Sequence, residues 1–61
     1  MSKRTRDVLA LRARGFSVDQ IAARLHWCRR TVKLETRLAC DALGARNATH
    51  AVYLATLAGI I

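Results

Sequence analysis

Two helices joined by a tight corner are predicted by Gly15–Leu25, with the sequence GFSVDQIAARL, and by Arg30–Lys33, with the sequence RTVK. Ser17-Val18-Asp19-Gln20 matches a capping box, in which a serine oxygen and a glutamine side chain satisfy backbone N–H groups, so a helix should begin at Val18. A short helix, a corner and a second helix form the arrangement that presents one helix to the major groove of DNA. This segment occupies the middle of a 61-residue chain, and we expect it to decide both fold and function.

Four helices in all are predicted from caps, glycine stops and apolar spacing. Gly15 and Gly44 suit the left-handed residue that follows a helix end, and Asn47 suits an N-cap. The expected bounds are Thr5–Arg14, Val18 onward, Arg29 or Arg30 to Leu43, and Ala48–Leu57. The predicted fold class is therefore all-α: one four-helix helix-turn-helix domain over residues 1–61, with a short basic N-terminal arm.

The third helix should have one buried face and one outward face. Its small and apolar residues recur at helical spacing and predict the buried side: Val32, Thr36, Ala39, Cys40 and Leu43. The opposite face then holds Lys33, Leu34, Arg37, Leu38 and Asp41, with Arg29, Arg30 and Glu35 near its edges. Trp27, in the corner, is expected to fill the gap between helices two and three.

The charge balance points to a polyanionic partner. Eleven lysine and arginine residues against four acids give a formal net charge of +7, and nucleic acid is the commonest partner of such a surface. A solvated basic surface, a membrane or an acidic protein are the alternatives. No charged residue follows Arg46, so residues 47–61 are uncharged. That tail is shorter than the roughly 20 residues of a membrane span, and no secretory signal is visible, so we expect a cytoplasmic, nucleoid-associated protein with no membrane contact.

Metal and enzyme chemistry find no support in the sequence. Cys28 and Cys40 would lie about 18 Å apart on one helix, too far for a disulfide or a shared metal with His26 and His50. The acidic residues are expected to be scattered on solvent faces, and so small a chain cannot enclose a cleft of about 300 Å³ or more for a substrate. We therefore expect no enzyme, no cofactor and no metal site.

The order of residues closely resembles the LuxR/GerE-type DNA-binding domain of bacterial transcription regulators. The resemblance covers nearly the whole chain and rests on Val8-Leu9, Gly15–Ser17, Ile21–Leu25, Thr31–Lys33, Leu43–Asn47 and Ala51-Val52. It implies a four-helix domain that inserts helix three into the major groove of double-stranded DNA and often dimerises through helix four.

The resemblance also implies which residues meet DNA. Lys33, Leu34 and Arg37 would approach bases, and Arg30 and Thr31 would approach phosphate, with Arg29 beside them. Arginine can pair bidentately with guanine, which discriminates between bases by about 1 to 3 kcal/mol. Further phosphate contacts are expected from Lys3, Arg4 and Arg6.

Several positions depart from the family pattern. Thr5 stands where the family usually has glutamate, and Arg12 often where it has an apolar residue. Cys28 replaces a serine or threonine cap, and Glu35 replaces a neutral or basic residue. Bulkier or basic residues are also replaced at Thr36, Ala39, Cys40 and Ala42, and a common glutamate at His50. We expect a thinner core behind helix three and a less cationic face in front of it.

Two functions follow as expectations. The first is a small transcription regulator, free-standing and encoded by a bacterium or a phage unless the chain is a fragment, that forms a homodimer through Tyr53, Thr56, Leu57 and Ile60. In a monomer these residues would instead cap the core. The second is a protein-interaction module or decoy that binds another transcription regulator or RNA polymerase through Leu34 and Leu38 or through helix four. Glu35 and Asp41 would favour this second function, because they repel phosphate.

Overall fold

The computed structural model describes all 61 residues as four α-helices joined by short turns. The helices are α1, Lys3–Ala13; α2, Val18–Leu25; α3, Arg29–Leu43; and α4, Ala48–Leu57. The all-α, four-helix prediction is confirmed, and the bounds of α3 and α4 and the start of α2 coincide with those expected from caps and glycines.

The start of α1 differs from the prediction. Ser2 is its N-cap, because its side chain accepts the backbone N–H of Thr5, so the helix begins at Lys3. The prediction of a basic N-terminal arm is therefore wrong. Lys3, Arg4 and Arg6 instead lie in the first turns of α1, so the direction of the chain that carries them is fixed.

All four helices end in the same way. A residue in the left-handed conformation follows each helix, and the next residue donates its backbone N–H to a carbonyl five positions earlier, which is the Schellman motif. The left-handed residues are Gly15, His26, Gly44 and Gly59. The residues that follow them pack against the core, and they are Phe16, Trp27, Ala45 and Ile60.

The core consists of two clusters that share α1 and α3. The first joins α1, α2 and α3 through the buried residues Val8, Leu11, Ile21, Ala22 and Val32. The second joins α1, α3 and α4 through Leu9, Ala39, Ala51 and Ala55. Alanines make up most of the second cluster, so it offers less apolar surface to bury than the first.

The end of the chain turns back onto the second cluster. Gly59 has a φ of 71°, a conformation that glycine adopts without steric cost, and it redirects the chain after α4. Ile60 and Ile61 are consequently half-buried against the chain's own core. Ile60 therefore has less exposed surface for contact with a partner than its position in an uncharged tail suggests.

Three further features of the structure concern a possible metal site, a surface groove and a possible membrane span. Cys28 and Cys40 are both free thiols, and no group of three histidine, cysteine or acidic residues is arranged to hold a metal ion. An open groove of about 380 Å³ lies between the end of α1 and the start of α4. None of the four helices has both the length and the apolar character needed to cross a membrane.

Candidate nucleic-acid interface

One side of α3 faces solvent along its length, and we call it the outer face. Its exposed residues are Arg30, Lys33, Leu34, Arg37, Leu38 and Asp41. The other side of the helix supplies Val32, Thr36 and Ala39 to the protein interior. Fifteen residues give a rod of about 22 Å, and a helix of this kind fits a major groove about 12 Å wide.

The outer face combines cations with apolar side chains. Lys33 and Arg37 lie one turn apart, and neither has an acidic partner within the chain. Leu34 is 54% exposed and Leu38 is 47% exposed. The face can therefore offer hydrogen-bond donors and apolar contact to the same surface.

The first turn of α3 is built on Cys28. This residue is the N-cap, but its side chain makes no capping hydrogen bond to the backbone. Its Sγ atom instead lies 3.2 Å from the hydroxyl of Thr31, and this hydrogen bond is the main cause that lowers the pKa of the exposed Cys28 thiol. The first backbone N–H groups of α3 have no side-chain cap, so this end of the helix suits an anion.

Ion pairs occupy only part of the predicted DNA-binding set. Arg29 Nε lies 2.6 Å from Asp19 Oδ1 in an exposed pair that links α3 to α2. Lys3 pairs with Asp7 at 3.7 Å, also in solvent. Exposed pairs contribute little stability and exchange readily with other partners. Of the arginines in the set, Arg6, Arg30 and Arg37 have no acidic partner.

Glu35 does not lie where the sequence placed it. The prediction that it borders the outer face, with all four acids on solvent faces, is wrong, because position 35 of α3 faces the first turn of α1. Glu35 is only 8% exposed, and its Oε2 accepts a hydrogen bond of 2.9 Å from the hydroxyl of Thr5. Asp41 is therefore the only acid on the outer face.

Arg4 is engaged within the chain as well. Its Nε lies 3.8 Å from Glu35 Oε1, and its guanidinium lies over the ring of Trp27, 4.7 Å from the centroid. Trp27 is half-buried and packs against the first core cluster. Of the three cations predicted to contact phosphate from α1, Arg6 alone has no acidic partner.

Sequence reasoning missed this contact between α1 and α3. The sequence signal for this contact consists of two departures from the family pattern. Position 5 has threonine instead of the usual glutamate, and position 35, thirty residues later, has a glutamate instead of a neutral or basic residue. Joining them requires the relative placement of α1 and α3, which the structure supplies.

A second exposed surface lies on α4. Tyr53 is 59% exposed and Leu57 is 67% exposed, one helical turn apart. Thr56 beside them is also exposed, and its hydroxyl donates to the carbonyl of Val52 at 2.8 Å. These three residues form an apolar patch on an uncharged helix, and we call it the α4 patch.

The chain also matches a model of a known protein family. A family model described as GerE, bacterial regulatory proteins of the luxR family, matches residues 1–55. A search of curated proteins finds no match.

Proposed function

Because the chain belongs to the luxR family of bacterial regulatory proteins and carries that family's DNA-binding helix-turn-helix domain, we propose that it regulates transcription by placing α3 in the major groove. The observation that carries this proposal is the outer face of α3. It presents Arg30, Lys33 and Arg37 without acidic partners, on the side of the helix opposite the core.

The residues divide into two roles under this proposal. Lys33 and Arg37 donate to base edges, and Leu34 contacts thymine methyl groups. Phosphates are bound by Arg30 and Thr31 at the start of α3 and by Lys3 and Arg6 on α1. Arg29 joins them by releasing Asp19, an exchange that costs little because the pair is exposed. Arg4 contributes less to phosphate binding than the sequence suggested, since Glu35 and Trp27 already hold it.

The proposal is tested with the variant Lys33→Ala/Arg37→Ala. Both side chains are exposed, so the fold should persist, and affinity for a duplex selected by the wild-type chain should fall about tenfold or more. The matched control is Arg14→Ala/Arg46→Ala, which removes the same charge from exposed positions outside α3. Equal losses in the two variants would mean that only net charge matters, and would contradict reading by α3.

The exposed pair Leu34 and Leu38 favours a second candidate, a protein partner such as another regulator or RNA polymerase. Glu35 no longer supports this candidate, because it faces the interior. Leu34→Ser/Leu38→Ser should abolish such a complex while reducing DNA affinity only slightly. A wild-type chain with no salt-dependent binding to duplex DNA would favour this second candidate over the first.

A further inference from the structure

We propose that Glu35 is a positioning residue for DNA recognition: anchored by Thr5 and Arg4, its carboxylate fixes the orientation of α3, so an acid on the recognition helix supports sequence-specific binding. This inference rests on the proposed function of α3. The Glu35 carboxylate then favours sequence-specific binding, although its negative charge alone would oppose the binding of DNA.

A directed chain of hydrogen bonds leads from the start of α1 to this carboxylate. The hydroxyl of Thr5 has one hydrogen, which it donates to Glu35 Oε2 at 2.9 Å. Ser2 Oγ lies 2.8 Å from the same hydroxyl and must therefore donate to it. Ser2 Oγ in turn accepts the backbone N–H of Thr5. The cap that begins α1 is thus connected to the middle of α3.

The other carboxylate oxygen is tied to the corner before α3. Glu35 Oε1 lies 3.8 Å from Nε of Arg4, whose guanidinium covers Trp27 at 4.7 Å from the ring centroid. Trp27 lies between α2 and α3 and packs on the first core cluster. Through this one side chain, α3 is held to the first turn of α1 and, by way of Arg4, to the corner.

The position of Glu35 along α3 makes this anchoring relevant to recognition. Leu34 precedes it directly, and Lys33 and Arg37 are each two residues away. A rotation or shift of α3 at this point moves all three contact residues together. Site geometry must be kept within roughly 0.5 Å and 10–20° for specific contacts, so loosening the anchor should reduce discrimination between sequences.

Charge and positioning predict opposite outcomes for Glu35→Gln. If only charge mattered, removing a carboxylate near phosphates would raise affinity for every duplex. If the carboxylate positions α3, affinity for the selected duplex falls relative to an unrelated duplex of equal length. The measured quantity is the ratio of these two affinities at one salt concentration.

The experiment compares four variants with the wild-type chain. Glu35→Gln and Thr5→Val should each lower the ratio about tenfold, which is the size of effect of one mismatched base pair. Thr5→Ser keeps the hydroxyl and should retain the ratio. Asp41→Asn removes an exposed acid from the same helix and should raise both affinities without changing the ratio.

The outcomes separate positioning from a purely structural role. Circular dichroism gives the folded fraction of each variant, and a variant that is only less stable loses affinity for both duplexes equally. An unchanged ratio in Thr5→Val, or a Glu35→Gln variant that behaves like Asp41→Asn, would overturn the inference. Thr5→Val has nearly the shape of threonine and no change of charge, so it decides the question if Glu35→Gln does not fold. A wild-type chain that selects no duplex would overturn the proposed function first, and this inference with it.

Discussion

At the scale of single residues, Arg12 places a polar atom in surroundings that offer it no hydrogen bond. Its Nε is buried and has no hydrogen-bond partner. The side chain lines the groove between α1 and α4, where Phe16 and Val52 are apolar neighbours. A buried donor without a partner costs about 1 to 3 kcal/mol, so this position reduces the stability of the fold.

Replacing Arg12 with leucine should therefore stabilise the protein. We expect Arg12→Leu to raise the free energy of unfolding by about 1 kcal/mol, because it removes the unsatisfied donor and places a wholly apolar side chain beside Phe16 and Val52. Urea unfolding measures this, with Arg14→Leu as the exposed control. An Arg12→Leu variant no more stable than wild type would contradict the account of the groove.

Thr5 and Glu35 show what sequence reasoning reaches at this scale. Both are recognisable from the sequence as unusual for the family, and the outward placement of Lys33, Leu34 and Arg37 on α3 was predictable from helical spacing. That the two form one contact was not predictable, because a contact between residues thirty positions apart depends on how α1 crosses α3. For the same reason, helical spacing alone predicts a solvent-facing position for Glu35.

Cys28 should be the more reactive of the two thiols. The hydrogen bond from Thr31 stabilises the thiolate and lowers the pKa of Cys28, so alkylation should rise with pH at lower values than for an ordinary thiol. Cys40 is half-buried and should react more slowly. Rates with iodoacetamide across pH measure both. Thr31→Val should move the rise at Cys28 to higher pH, and an unchanged profile would contradict this cause.

At the level of elements, the helix ends were predicted unevenly. Gly15 and Gly44 were recognised as stops because glycine is the usual left-handed residue and each separates two periodic segments. His26 and Gly59 end α2 and α4 in the same conformation and were missed. Any residue other than glycine adopts positive φ only uncommonly, so His26 does not mark a stop by its type. After Gly59 only two residues are given, too few to show a pattern.

His26 offers a test of this helix end. Its φ of 59° costs a residue with a β-carbon about 1 to 2 kcal/mol. Glycine avoids this cost, but its greater freedom in the unfolded chain cancels part of the gain in stability. We expect His26→Gly to raise the free energy of unfolding by about 0.5 kcal/mol, measured by thermal unfolding. His26→Ala is the control and should give no gain. A loss of stability in His26→Gly would mean that the imidazole makes a contribution of its own.

At the level of the whole molecule, α4 differs from the other three helices in carrying no lysine, arginine, aspartate or glutamate. The ion pairs engage three of the four acids, which leaves most of the cations without a partner. The α4 patch of Tyr53, Thr56 and Leu57 is uncharged. A molecule of 27 × 19 × 18 Å is too small to bury this patch in its own core. We therefore propose that two copies of the chain associate through the α4 patch.

Sedimentation equilibrium tests this association. We expect the wild-type chain to change from monomer to dimer as its concentration rises, and Leu57→Ser to shift that change to higher concentration by removing buried apolar area. Leu38→Ser, on α3, is the control and should have no effect. A wild-type chain that stays monomeric over the whole range, with and without DNA, would contradict an interface on α4.

The central claim is that the outer face of α3 contacts DNA, and nuclear magnetic resonance tests it most directly. The ¹⁵N-labelled chain is titrated with the duplex that it selects, and the change in the chemical shift of each backbone amide is recorded. We predict the largest changes over residues 30–38, with smaller ones in the first turn of α1. Changes confined to α4, or absent at Lys33 and Arg37, would contradict the claim.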